Sequence, residues 1–351
     1  MKPQLSLLFL IGRIFSPVYS LVMLLRAFLY RKNILLKSQR LSVPVISVGN
    51  LTLGGTGKTP MVRYVASLLL AGGLRPAIVS RGYGGKAADP VNIVSAGAEV
   101  LLSPEMAGDE PFMLAQALPG VPVLTGPERA RVARYAIREF GVNRIVMDDG
   151  FQHLAVSRDL DLVLFSAGTL LGNGRVFPGG ELREPLSALG RAHGFVITGV
   201  DSGNRVKVDD FQQQLQEAFP ETPVFTGEYL PAGIWHSKQG KTCTLAEARK
   251  IPVFAFAGIA NPDSFRQTLR QEGFFLAGFK EFKDHNAYTA QDVAALVAAA
   301  LAQGAQALLT TEKDFVKLRP FFGEFPLLAL TIELRMGHGF DLFIIERIGA
   351  T

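Results

Sequence analysis

Short runs of β-branched and apolar residues alternate with longer stretches of helical periodicity over most of the chain. Runs at 43–48, 76–80, 121–125, 144–148, 160–165 and 194–198 have the length and composition of buried strands. Between them, 58–71, 109–118 and 127–140 place apolar residues at helical spacing. This succession predicts an α/β fold with a mostly parallel sheet and helices on both faces. Near residue 230 the pattern breaks at Pro220, Pro223 and Pro231. It resumes as a strand at 253–259, helices at 262–271 and 290–303, and a strand at 307–311. The expected organisation is therefore residues 1–40, a core over 41–229, and a smaller C-terminal α/β domain over 230–351.

Residues 5–29 form the most hydrophobic stretch, interrupted by Arg13, Pro17 and Arg26. On a helical wheel Ser6, Arg13, Ser16, Pro17, Ser20 and Arg31 fall on one side and leave a broad apolar face. Arg31, Lys32, Lys37 and Arg40 follow as a basic cluster. An apolar helix beside a basic collar predicts membrane association. Whether it spans the bilayer or lies on it stays open.

Composition sharpens that picture. The chain has 351 residues, 48% of them hydrophobic, and a net charge of +5, with a mean hydropathy of +0.24. Residues 1–88 carry 12 Lys or Arg and no Asp or Glu. So basic a front half calls for an anionic partner, a membrane surface or a nucleic acid. The single cysteine, Cys243, excludes a disulfide framework and a cysteine-based zinc site.

The chemistry centres on Thr52-Leu53-Gly54-Gly55-Thr56-Gly57-Lys58-Thr59, between the 43–48 strand and the 58–71 helix. A glycine-rich turn there gathers backbone N–H groups at a helix N-terminus, which binds phosphate. Lys58 would reach the β- and γ-phosphates of a nucleotide triphosphate and the Thr59 hydroxyl would meet Mg²⁺. The strict pattern has Gly where this chain has Thr52. The context makes the core a P-loop NTPase-like domain. Asp148 and Asp149 end a strand where such proteins hold the metal, and Gln152 and His153 extend the cluster. A histidine so close to two carboxylates is expected to favour its charged form. Asp109 opens a helix as a cap, or one of the carboxylates Asp109 and Glu110 faces the transferred group and accepts a proton. Arg183-Glu184-Pro185, Asp284-His285 and Thr311-Glu312-Lys313-Asp314 are further polar clusters near strand ends.

Together, Gly49-Asn50-Leu51-Thr52 running into Gly54 to Pro60, Ser80-Arg81-Gly82-Tyr83-Gly84, Gly108-Asp109-Glu110-Pro111 and Asp148-Asp149-Gly150-Phe151-Gln152-His153 resemble the tetraacyldisaccharide 4'-kinases. Asp284-His285 with Tyr288-Thr289, and Thr311 to Asp314, resemble the second-domain motifs of that family. The resemblance runs in order over nearly the whole chain. It implies transfer of the γ-phosphoryl group of ATP to the 4'-hydroxyl of a tetraacyldisaccharide 1-phosphate, giving lipid IVA. It further implies ATP binding by Thr52 to Thr59, and Asp109 as proton acceptor with His285 as its dyad partner. Lys58 would act on the phosphates, and Thr59, Asp148, Asp149 and Gln152 would line the Mg²⁺ site, with Glu184 as a possible addition. The expected partners are the acylated lipid and a membrane surface, at the cytoplasmic face of the inner membrane. No nucleic acid and no obligate protein partner is expected. The alternative is a membrane-associated ATPase switch of the partition type, although Thr52 and Leu53 stand where that class carries its signature lysine.

Overall fold

The computed structural model describes residues 9–236, 241–259, 261–284, 286–318, 321 and 323–349. The chain divides into two compact units, Met1–Tyr229 with Leu334–Thr351, and Leu230–Glu333. Residues 334–351, expected in the second domain, therefore belong with the first. The reason is packing: the Tyr64 hydroxyl donates to Asp341 at 2.7 Å, and the buried Arg144 donates its Nε to the Ile348 carbonyl at 2.7 Å.

In the first unit the elements are α1 (Ser16–Lys32), β1 (Val45–Asn50), α2 (Lys58–Ala71), β2 (Pro76–Ser80), β3 (Asn92–Ser95), α3 (Pro104–Ala107), α4 (Asp109–Ala117), β4 (Val123–Thr125), α5 (Arg129–Phe140), β5 (Arg144–Asp148), β6 (Leu160–Ser166), β7 (Gly194–Thr198), α6 (Arg205–Ala218) and the start of β8 (Val224–His236). Strand order is β8-β7-β6-β1-β5-β2-β4-β3. Only β3, on the edge, runs antiparallel to its neighbour; the other pairs are parallel. β1 lies between β5 and β6 with Val48 opposite Asp148 and Leu162. The chain thus crosses from one side of β1 to the other after β5. That crossing opens a crevice at the carboxyl end of β1, where open α/β sheets take their ligands.

Every residue of β1 is buried, because helices cover both faces of the sheet. On one face Phe165 packs edge-on against Phe211 with ring centroids 5.2 Å apart, beside Phe151, Phe195 and Leu215. On the other, Val79, Ile145 and Met147 pack under Val132, Ala133 and Ala136 of α5. Each fully buried large apolar side chain stabilises the fold by roughly 1.5–3 kcal/mol, so both layers hold the β1 crevice rigid.

α1 docks on this unit with one stripe only. Ser16, Tyr19, Ser20, Met23, Arg26, Ala27, Leu29 and Tyr30 are half-buried, at steps of three and four residues. Ile14, Val18, Leu21, Val22, Leu25 and Phe28 are exposed. The inward face therefore includes Arg26, which the wheel did not group with the polar side, while Arg13 and Arg31 point to solvent. Among the described residues no helix is long and apolar enough to cross a membrane.

The second unit carries the rest of β8, then β9 (Lys241–Cys243), α7 (Leu245–Ala248), β10 (Val253–Ala257), α8 (Pro262–Gln271), β11 (Leu276–Glu281), α9 (Ala290–Ala302), β12 (Ala307–Thr311), α10 (Glu312–Leu318) and most of β13 (Leu327–Met336). The chain then returns to the first unit and ends in α11 (Phe340–Ile348). The strands β11-β10-β12-β13 are parallel neighbours.

Candidate active site

The loop between β1 and α2 is shaped by what it touches. Gly57 is the N-cap of α2 and has φ 77°. A Cβ there would lie 1.8 Å from the Tyr229 hydroxyl oxygen, so both conformation and space demand glycine. The α2 N-terminus has no side-chain cap and no acidic residue in its first turn. Its free N–H groups and positive end suit an anion. Thr52 bridges to Leu182, and the Leu53 N–H donates to the Glu181 carbonyl at 2.7 Å. The Thr198 hydroxyl donates to the Thr56 carbonyl at 2.9 Å. Gly54 and Gly55 have open space where a side chain would stand. The loop is thus tied at both ends and open in the middle.

Lys58 begins α2. Its Nζ donates to Asn50 Oδ1 at 3.3 Å and lies 3.6 Å from Asp149 Oδ1, so the ammonium is aimed back across the loop. Thr59 follows it, half-buried. The segment after β5 comes close because Gly49 lets it: a Cβ at Gly49 would lie 2.6 Å from the Phe151 nitrogen. Gln152 then donates its Nε2 to the Asn50 carbonyl at 3.0 Å.

The two aspartates after this strand differ. Asp149 has φ 51° and turns its carboxylate toward cations. Arg183 Nη1 donates to its Oδ2 at 2.9 Å and Oδ1 at 3.1 Å. Burial works to raise the Asp149 carboxyl, but Lys58 and Arg183 outweigh it and hold the group below its ordinary range. Asp148 is only 2% exposed. It accepts from the Ser80 hydroxyl at 3.3 Å through Oδ2, while Oδ1 is buried without a hydrogen-bond partner. Burial first, then the Glu110 carboxylate, push it up to about 7 against the pull of Lys58.

Around this pair stand Arg129, which no motif argument singled out, and Glu110, one of the two adjacent carboxylates of the Gly108–Pro111 motif. Arg129, buried at the start of α5, donates to the Asp148 carbonyl at 3.4 Å. Glu110 reaches Asp148 electrostatically, although Asp109 beside it was the expected carboxylate. Asp109 is the first residue of α4, whose N-cap is Gly108, so it is not the cap. The tight fit of two motifs explains their order: Lys86 N–H and Ala87 N–H donate to the Glu105 and Met106 carbonyls at 2.9 and 3.0 Å. This holds the turn after Ser80-Arg81-Gly82-Tyr83-Gly84 against the turn before Asp109.

Three expectations change. His153 does not favour its charged form. Burial, then Arg129, Arg158, Arg26 and Arg81, bring its pKa down to about 4; the arginines prevail over the nearby aspartates. Glu184 is engaged structurally: Arg191 reaches its two oxygens at 3.1 Å each and lies 4.5 Å over the Phe151 ring. The side-chain amide of Gln152 is also committed, giving Nε2 to Asn50 and accepting from Arg183 at 3.4 Å. In the second unit Asp284 pairs with Lys313 at 3.6 Å. His285 lies outside the described residues.

A family model for tetraacyldisaccharide-1-P 4'-kinase matches residues 8–348. The tetraacyldisaccharide 4'-kinase of Desulfotalea psychrophila is 48% identical over 342 residues, covering 97% of each chain. That of Syntrophus aciditrophicus is 40% identical over 349 residues, covering 96% of this chain and 92% of its own. The crystal structure of LpxK from Aquifex aeolicus in complex with ATP superposes with a TM-score of 0.75 at 32% identity, covering 95% of this chain and 97% of that one. These matches over almost the whole chain do not favour the partition-type switch. The chain belongs to the tetraacyldisaccharide-1-P 4'-kinase family.

Proposed function

We propose that this chain binds ATP at the β1–α2 loop and transfers its γ-phosphoryl group to the 4'-hydroxyl of a tetraacyldisaccharide 1-phosphate. The observation that carries the reading is Lys58, held between Asn50 and Asp149 at the mouth of an uncapped helix N-terminus. There the ammonium neutralises charge on the phosphates while the loop N–H groups bind them. The hydroxyl oxygen attacks the γ-phosphorus, its proton passes to Asp109, and the bond to the bridging oxygen breaks to release ADP. Arg183 and Lys58 together keep Asp149 ionised, and Asp149 in turn orients Lys58.

The oxygen donors fit a magnesium ion. Asp148 has a buried oxygen without a partner, and Thr59 stands one residue after Lys58 at the start of α2. Among the described residues no group of three His, Cys, Asp or Glu could hold a metal. That suits an ion that takes its other ligands from water and phosphates. Bound there, it supplies charge neutralisation at the transferred group. Gln152 braces the loop, and Asp149 serves the cations, so Asp148 and Thr59 are the direct ligands.

The acceptor lies in a membrane, and the exposed apolar face of α1 with its basic collar seats the protein on the cytoplasmic face of the inner membrane. The test is transfer from γ-labelled ATP to tetraacyldisaccharide 1-phosphate in detergent micelles. Labelled lipid with the wild type is expected, reduced on the order of a hundredfold or more by Lys58→Ala and strongly reduced by Asp109→Ala. ATP hydrolysis without labelled lipid would overturn the kinase reading. Labelling that survives Asp109→Ala would remove that residue from proton transfer.

A further inference from the structure

Of the eight half-buried residues of the α1 stripe, three make polar contacts at its base. Ser16 donates its hydroxyl to the Val176 carbonyl and accepts from the Gly179 N–H, both at 2.8 Å. The Tyr19 hydroxyl donates to the Arg183 carbonyl at 3.2 Å. Arg26 Nη2 donates to the Gln152 carbonyl at 2.9 Å, its guanidinium 5.5 Å from the centre of the Tyr30 ring. An anchoring helix needs nothing more inward than an apolar stripe. Here two of its polar groups end on two particular carbonyls, 31 positions apart in sequence.

Those carbonyls belong to the residues that bracket Asp149. Arg183 grips both oxygens of that carboxylate, and Gln152 accepts from Arg183 while donating to Asn50. Asn50 is also the second partner of Lys58. A continuous path of hydrogen bonds therefore runs from α1 to the phosphate-binding lysine. Burial, then the Glu184 carboxylate, raise the Tyr19 phenol, so it remains a donor throughout the physiological range.

We propose that Tyr19 and Arg26 are positioning residues for phosphoryl transfer: by fixing the backbone at Arg183 and Gln152 they set Asp149 against Lys58, and so make the seating of α1 part of the assembly of the nucleotide site. The inference rests on the kinase reading above. A catalytic group displaced by about 1 Å loses on the order of a hundredfold in rate, and a supporting contact removed at one remove loses less.

The test uses the full chain with Tyr19→Phe, Arg26→Gln and Arg26→Lys. It measures kcat and KM for ATP and lipid in mixed micelles, binding to phosphatidylglycerol vesicles, and thermal unfolding. Tyr19→Phe and Arg26→Gln are expected to lower kcat by on the order of tenfold, with both KM values and vesicle binding within about twofold. Arg26→Lys, which keeps a donor and a charge, is expected to recover part of kcat. Unchanged kcat in both variants overturns the inference, as does a loss confined to vesicle binding or to KM for lipid, which would make α1 an anchor only. A fall in kcat that merely follows a fall in unfolding temperature overturns it too. Failure of the wild type to label lipid removes the kinase reading and this inference together; labelling by the wild type with unaffected variants removes this inference alone.

Discussion

Asp148 and Asp314 occupy comparable places in the two units, yet their surroundings differ. Each stands at the carboxyl edge of a parallel sheet, Asp148 as the last residue of β5 and Asp314 three residues after β12. Each is buried, at 2% and 0% exposure. Asp314 is met by local donors: Oδ2 accepts from the Gly258 N–H at 2.8 Å and from the Thr311 hydroxyl at 2.9 Å. It joins the loops after β10 and β12. Both aspartates leave Oδ1 buried without a hydrogen-bond partner, but Asp148 has a single hydroxyl donor on Oδ2 and carboxylates at 149 and Glu110 beside it. Burial alone does not separate a structural acid from a chemical one. What separates them is the number of donors the fold supplies, two against one, and the further carboxylates that crowd Asp148.

The largest effect that breaks this comparison is expected for Asp148→Asn. Transfer should fall by on the order of a hundredfold or more, while stability without ligand rises. A carboxyl raised in the folded state contributes stability below its unfolded pKa of 3.8 and loses it as pH climbs through about 7. At pH 8 that loss is complete, and the amide abolishes it, for a gain on the order of 2–4 kcal/mol. Chemical denaturation of both proteins at pH 8 reads the sign. A destabilised Asp148→Asn would mean that the aspartate is held by the fold after all. Asp314→Asn is expected to go the other way, because two donors lose a charged acceptor. It should lose about 2 kcal/mol with nucleotide affinity retained, as calorimetric unfolding and a nucleotide titration would report. Equal signs for the two substitutions would dissolve the distinction.

Strands 76–80, 144–148 and 194–198 and helices 58–71 and 262–271 stand where periodicity put them, because parallel strands buried on both faces read as continuous apolar runs. β3 and α6 were not legible. β3 is a four-residue edge strand, and α6 is polar on most of its surface, with only Val208, Phe211 and Leu215 buried. β8 runs through Gly227 and Pro231, residues that argue against a strand. In the site, the loop and both aspartates were legible since their spacing is local. Arg129 was not, and Glu110 was legible only as one of two adjacent carboxylates. Each meets Asp148 only because separate strand–helix turns converge on one sheet edge, and no local pattern encodes that convergence. The charge state of His153 failed for a related reason: its carboxylate neighbours are close in sequence, but burial comes first, and of the four arginines only Arg158 is local, the others coming from α1, α5 and the turn after β2.

That reversal supplies the smallest test, and it bears on the same contrast between the edges. In the second unit Asp284 and Lys313 balance each other; in the first, burial, then Arg129, Arg158, Arg26 and Arg81, depress His153, although Arg158 is itself paired with Asp161 at 2.8 Å. The folded pKa of about 4 lies below the unfolded 6.5. His153 therefore contributes stability that is present above about pH 6.5 and lost as pH falls toward 4. The loss should be on the order of 2 kcal/mol after allowance for partial exposure, and His153→Asn should flatten that part of the stability profile. Because a bound polyphosphate offsets the surrounding arginines, nucleotide should move the imidazole titration upward when followed by proton NMR. An imidazole that titrates near 6.5 without nucleotide, or that ignores it, would show that these arginines are neutralised within the fold, and the contrast between the two edges would rest on Asp148 alone.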